Sequence, residues 1–522
     1  MNFKNLLLVV YLFVFSVTAM GQFQNVRVSP LNRTSPNEVS IAVNPLNGAN
    51  LAAGANLNFA YTSSDSGKTW QETVLTSTFG VGGDPCLIYD AEGHLYYGHL
   101  ANGLDRIVVQ KSTLNGTSFS NGSGIGLNQP KDQDKEWMIA DRTNSQYRNN
   151  LYISWTEFDK YGSPASSDST RILLSYSTDR GITWSQPVRV SDRQGNCIDD
   201  DQTVEGAVPA VGPNGEVYVA WAGWNEIMFD KSLDGGKTFG IDKFVANQPN
   251  GWAYDIPGIY RCNGMPITLC DISNSPYRGD VYIVWGDTRN GVNDGDIFLI
   301  KSTNGGNTWG STVRINNDAS GKHQFFPWAA VDQTTGYIYV VFYDRRNYTD
   351  NRTDVYLAVS KDGGEHFSNF KISDSPFKPD NDIFFGDYTC ITAHNGMVYP
   401  IWMRMDSKFM SVWMARINQN QLVAVDDDGN EESVPKGYSL SQNYPNPFNP
   451  STMISFTIKE SCRVSIKIYD ISGKEVDTAF EGYREAGTHK INYTASSLSS
   501  GRYFYELKAG DVSLRKKMIL QK

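Results

Sequence analysis

Short apolar runs come in pairs along this chain, each pair parted by a few polar residues, and the pairs recur. Residues 207–211 and 217–221 flank a turn through Gly212, Pro213, Asn214 and Gly215, and residues 329–331 and 337–342 flank one through Asp332 and Gly336. Similar units begin near Val39, Pro85, Trp137 and Asp271, and residues 388–405 form another around His394, Asn395 and Gly396. Runs of this length, rich in Val, Ile, Tyr and Trp and bounded by Gly, Pro and Asn, predict β-hairpins. Seven such hairpins in series imply a repeat architecture.

A second signal, an eight-residue turn, follows most of these units. Residues 63–70, 177–184, 232–239, 302–309 and 360–367 all open on Ser, place Asp or Asn at the third position (Asp65, Asp179, Asp234, Asn304, Asp362), Gly at the fifth and an aromatic at the eighth. Residues 112–119 are a worn copy. The acidic or amide side chain can bond backbone amides ahead of it, and Gly supplies the positive φ of the turn, so these carboxylates are structural first. The motif resembles the Asp-box of the sialidase superfamily, which implies a β-propeller in which each turn joins a third strand to a fourth.

The fourth strand has its own look in residues 188–191, 313–316 and 370–373, and residues 26–29 (Val26, Arg27, Val28, Ser29) match it before any hairpin has begun. A strand there predicts that the N-terminal end completes the last sheet, whose third strand is residues 411–417. That closure removes sheet edges. The fold class expected is therefore all-β: an Asp-box β-propeller of seven blades, with six, the number in sialidases, as the alternative, plus a small C-terminal β-sandwich.

Composition narrows the partners. A net charge of −10 and a sequence pI near 5.2 speak against nucleic acid and anionic membrane. Residues 1–21, with Lys4, an apolar stretch over 6–17 and Ala19 and Gly21 at the end, read as a secretory signal, and no span in the mature chain is long enough to cross a membrane. Six cysteines in an oxidising compartment allow disulfides, Cys262 with Cys270 first among them because they would close one loop. The remaining organisation reads as a propeller over 22–418, an acidic linker over 419–437 and a final module over 438–522. That module begins at Tyr438, has Tyr444, Pro445, Asn446, Pro447 and Phe448 as its core motif and continues in alternating strands. It resembles the type A C-terminal sorting domain of the type IX secretion system. The resemblance implies a β-sandwich read by the export machinery, and a secreted or outer-membrane cell-surface location.

In a propeller, the loops entering the innermost strands and those joining strands two and three share one face, opposite the Asp-box turns. Glu38, Asp84, Glu136, Glu205, Asp271 and Asp387 are assigned to the first set. Glu157, Asp159, Trp224, Glu226, Asp287, Arg289, Tyr343, Asp344, Arg345, Arg346, Arg404 and Asp406 are assigned to the second. Acids, arginines and aromatics at one mouth suit a glycan: rings stack on sugars, carboxylates act as acid and base, and arginines clamp anions. The competing reading is that these charges cap strand ends and pair with one another, Asp344 with Arg345 for instance.

Similarity to sialidases implies three arginines on a substrate carboxylate, a Tyr nucleophile activated by Glu, and an Asp acid/base. On that likeness Arg289, Arg345 and Arg404 form the clamp, Tyr343 or Tyr388 the nucleophile, Asp344 and Glu205 the acid chemistry, and Glu136, Asp287, Asp387 and Trp224 the remaining ligand contacts. The family's Phe/Tyr-Arg-Ile-Pro opening corresponds to residues 32–36, which keep Arg33 and Pro36 without the aromatic. No zinc motif, nucleotide loop or nucleophile elbow is present, so no cofactor is expected. Asp199, Asp200, Asp201 and Glu205 offer oxygens for a structural calcium ion, although a solvated acidic loop is the commoner meaning of such a run. The expectation is a monomeric, exported, sialidase-like glycoside hydrolase acting on extracellular glycans, with an exo-α-sialidase as the sharpest form. The alternative is a non-catalytic surface propeller that binds glycan or protein.

Overall fold

The computed structural model describes residues 23–31, 36–113, 116–319, 321–422, 438–440, 443, 445–510 and 512–522. The signal segment, Arg33 and nearly all of the linker lie outside them. The chain divides into two units, residues 1–424 and 425–522.

The larger unit contains seven four-stranded antiparallel sheets among the described residues. Their innermost strands are Ser40–Val43, Gly83–Tyr89, Asp132–Ala140, Glu205–Val211, Ile267–Cys270, Gln324–Val331 and Cys390–His394. Each packs against the next, and the seventh returns to the first, so the order is cyclic. In the seventh sheet the outermost strand is Gln24–Arg27, antiparallel to Phe409–Asn418, with Val26 opposite Met414. Second strands such as Val217–Gly223 and Ile338–Asp344 are buried along their whole length. Both of their faces meet a neighbouring sheet, which is why they read as continuous apolar runs. Large rings fill the spaces between sheets, with Trp155, Trp221, Trp285 and Trp402 all fully buried.

The Asp-box turns have the geometry their spacing implies. The Ser63 hydroxyl accepts from the Gly67 amide at 2.9 Å, Asp65 Oδ1 accepts from the amides of Lys68 and Thr69 at 2.9 and 3.0 Å, and the Thr69 hydroxyl donates to Oδ2 at 2.7 Å. Burial is slight here, and these donors hold the Asp65 carboxyl down at about 2. Gly67 sits at φ 78°, where a side chain would be strained. The same bonds recur at Asp234, and at Asp362 with His366 in the place of Thr.

The second unit is two sheets, Ser439–Leu440 with Ser451–Ile458 and Gly487–Thr494, and Glu475–Arg484 with Cys462–Tyr469, Gly501–Ala509 and Val512–Leu520. Ile454, Phe456, Ile466, Ile468, Leu507 and Met518 are buried in one core drawn from both. All six cysteines are free, so the expected bridge between Cys262 and Cys270 is absent. Cys262 precedes the fifth innermost strand and Cys270 ends it, which places them at opposite ends of an extended segment.

Candidate active site at the axial mouth

The innermost strands begin with an irregularity that turns side chains toward the axis. Register shifts fall between Gly83 and Cys86, Asp134 and Trp137, Glu205 and Val208, and Phe325 and Trp328. At or beside these bulges Asp84, Lys135, Gly206 and Phe326 have φ of 54°, 53°, 75° and 50°, and Glu38 has 49° in the first sheet. Positive φ at four non-glycine residues in one structural position is costly, and such strain persists where the surroundings over-determine it.

Lys135 is the hub of what results. Its ammonium lies 2.6 Å from Asp387 Oδ2 and 3.7 Å from Asp84 Oδ2, and it is buried. Burial alone would lower its pKa, but Asp134, Asp387, Asp84 and Glu38 together hold it well above the ordinary lysine value. Arg261 binds Asp387 in bidentate fashion, Nε to Oδ1 at 2.8 Å and Nη2 to Oδ2, and its Nη1 lies 3.5 Å from Asp199 Oδ2. Against the effect of burial, Lys135 and Arg261 keep Asp387 well below the usual carboxylate range. Asp199 in turn accepts from the Tyr161 hydroxyl at 2.6 Å and from Trp252 Nε1 at 2.7 Å. Asn56 ties Glu38 to the Asp84 amide.

Two carboxyls in this cluster have no partner at all. Both oxygens of Glu136 and both of Glu205 are buried without a hydrogen bond, and each residue is only 1% exposed. Burial pushes each pKa well above the glutamate value, helped by Asp84 for Glu136 and by Asp199 for Glu205. The mouth therefore holds carboxyls of two kinds: Asp387, whose ionised form Lys135 and Arg261 favour, and Glu136 and Glu205, whose burial without partners favours the protonated form.

Of the predicted residues, Glu38, Asp84, Glu136, Glu205, Asp387 and Tyr388 belong to this cluster, Tyr388 edge-on to Trp137 at 5.5 Å. Others are corrected. Tyr343 is fully buried among Phe325, Phe377 and Phe385, and its hydroxyl donates to the Met403 carbonyl at 2.8 Å, so it cannot reach a substrate. Asp344 is paired with Arg346 at 2.7 Å, not with Arg345, and Asp287 with Arg289 at 2.5 Å. Arg404 holds Asp406 at 2.7 Å and the Ser375 carbonyl at 2.8 Å. Arg345 is buried against Phe325 and donates to the Pro257 carbonyl at 2.6 Å. The three arginines thus face three different sets of partners and form no common clamp. Trp224 lies under the Arg193 guanidinium at 4.1 Å and donates to Gln194.

Asp271 is likewise moved. It follows the fifth innermost strand and caps a turn at the opposite end, accepting from the Ser273 amide at 2.7 Å. The calcium reading also gives way: Asp200 accepts from Asn196 and the Gln202 amide, and Asp201 from the amides of Trp252 and Ala253. No group of three or more His, Cys, Asp or Glu side chains among the described residues is arranged to hold a metal ion.

Lys135, Arg261, Tyr161 and Trp252 were not singled out from the sequence. Lys135 stands where Glu38 and Asp84 stand in their sheets, a correspondence that aligning the hairpins would have exposed. Arg261 lies in the loop between the fourth and fifth sheets, outside the repeated hairpins and Asp-box turns, so no repeat announces it.

Residues 442–521 match the family model described as the secretion system C-terminal sorting domain. The chain is an exported β-propeller. Its sorting domain assigns it to the type IX route, ending at the cell surface or in the medium, and no helix among the described residues is long and apolar enough to cross a membrane. No curated protein matches the chain. Among solved structures, a Hadza microbial sialidase, Hz136, is 14% identical over 72% of this chain and 74% of its own, with a TM-score of 0.42. A polysaccharide lyase of family PL25, an ulvan lyase, is 12% identical over 76% and 96% at 0.45. A Penicillium chrysogenum α-L-arabinanase is 14% identical over 76% and 99% at 0.42. The likeness is one of fold alone.

Proposed function

We propose that this exported propeller acts on glycans at its axial mouth by carboxyl chemistry. The observation that carries the reading is Glu205, an acid buried without a hydrogen-bond partner, its pKa raised by burial and by Asp199, whose side chain is 21% exposed. In such a pair Glu205 donates its proton to the departing glycosidic oxygen, and Asp199 assists the incoming water or holds the positive charge that develops on the sugar. Tyr161 and Arg261 orient Asp199, and Asp387, itself bound by Lys135, holds Arg261 in place. Tyr161 and Tyr260, 37% and 62% exposed, supply aromatic surface beside Arg261 for a sugar face.

The three committed arginines remove the support for the sialidase form of this reading. A second reading, a propeller that binds glycan without cleaving it, is favoured by the size of the site: the cavity lined by Lys135, Asp199, Trp252, Arg261 and Asp387 is about 50 Å³, room for a few waters and not for a sugar ring. A panel of chromogenic glycosides and polysaccharides, sialosides included, separates the two. Turnover that Glu205→Gln and Asp199→Asn abolish while binding persists supports the hydrolase. Binding without turnover on any member supports the second reading, and neither binding nor turnover ends both.

A further inference from the structure

The opposite end of the same axis is of different character. A well of about 370 Å³ is lined by all seven innermost strands, through residues such as Ile41, Ile88, Val208, Ile267 and Ile391. Its floor is Trp137 and Trp328, whose rings are 4.2 Å apart and separate it from the carboxyl cluster. It opens where the innermost strands end, on the Asp-box side. The volume lies at the lower end of the range for small-molecule sites.

One cation enters this lining, which is apolar toward the floor and carries Gln333, Thr334, Thr392 and His394 as well. Arg142 follows the third innermost strand and is partly buried against the well. No side-chain hydrogen bond holds its guanidinium, and burial lowers its pKa with Asp90 as the single charge in its favour. Asp90 is already engaged by the His94 amide and ring and by the Tyr96 hydroxyl. The other groups that face it are engaged as well. Asp141 accepts from the Thr143 amide and the Ser145 hydroxyl, and Asp332 from Thr334 and the Gly396 amide. His394 is held below the usual histidine range by burial, so it adds no charge at neutral pH.

The Arg142 guanidinium, half-buried beside the well and without a protein acceptor among the described residues, is open to an acceptor that a ligand supplies. A carboxylate does so bidentately. We propose that the well is a binding site for a small amphiphile with one carboxylate and an unbranched apolar tail, of the medium-chain fatty acid class, the head on Arg142 and the tail on the Trp137–Trp328 floor. This site is independent of the glycan mouth.

Calorimetric titration of the full chain with decanoate, below its micelle concentration, tests the assignment, with decanol as the uncharged control. Saturable binding of one decanoate is expected, at least tenfold tighter than decanol and accompanied by a change in tryptophan fluorescence. Arg142→Gln should bring decanoate to the level of decanol, and Arg142→Lys should restore part of the difference. Absence of saturable binding, several equivalents bound, equal affinity for the two probes, or undiminished decanoate binding by a folded Arg142→Gln chain would each overturn it. Should Arg142→Gln fail to fold, Ala393→Phe, which narrows the well from the seventh sheet, must abolish binding, and the wild-type comparison of acid with alcohol decides on its own.

Discussion

The charges around the axial mouth and those at the ends of the second strands are drawn from the same residue types, yet they behave oppositely. At the ends of three second strands an acid has its own arginine two positions away: Asp287 with Arg289, Asp344 with Arg346, Asp406 with Arg404. At the mouth Lys135 and Arg261 serve carboxylates from other sheets, and two glutamates are served by nothing. A pair closed within one strand holds that strand and leaves no group for a ligand. A cluster assembled from several strands, with acids in excess, leaves carboxyls whose protonation the fold sets.

The sharpest way to break this contrast is to remove the hub. Lys135→Met leaves Asp387 and Asp84 buried without their ammonium and should cost about 3–5 kcal/mol in urea unfolding of the propeller. A loss under about 1 kcal/mol would mean that the cluster is no more coupled than the rim pairs. On the chemistry side, Glu205→Gln should lower turnover on any glycan substrate by about 10²–10⁴-fold, whereas Arg289→Gln should leave kcat within about twofold. Equal losses in the two variants would erase the distinction.

A pH series sharpens the comparison further. The folded-state pKa of Glu136 is raised, so below the unfolded value of about 4.3 both states hold the proton. As pH climbs past that point the unfolded chain ionises first, and stability is lost until the folded pKa is reached. Glu136→Gln should therefore gain on the wild type as pH rises from about 4 to 8, read from urea midpoints, while parallel curves would place Glu136 among ordinary carboxylates. The smallest effect belongs to the rim: Arg404→Ala, opposite a half-exposed Asp406, should change stability by less than about 1 kcal/mol and turnover not at all.

The framework of sheets was legible because its signals are local and repeated. Five Asp-boxes, the paired apolar runs and the match of residues 26–29 to later fourth strands each depend on short-range backbone geometry. The site was half legible. Glu136, Glu205 and Asp387 could be placed because entry to an innermost strand is a repeated position. Tyr343, Asp344 and Arg345 were misjudged because sequence locates them on the right face without showing that Phe377, Arg346 and Thr353 already occupy them. Asp271 was set at the wrong end because its turn, with Ser273 and Ser275, repeats the one at Asp141, Thr143 and Ser145, where the strand ends and does not begin.

The seam of the last sheet bears on how an exported chain reaches this form. Residues Gln24–Arg27 leave the ribosome early, but their ladder partner is Phe409–Asn418, almost four hundred positions later. That edge stays without its mate throughout synthesis and passage of the intervening six sheets, so the loop it closes is among the longest the polypeptide can make. Completion of the disc is accordingly a late, all-or-nothing event, and a truncation at either extremity should be felt by the whole disc.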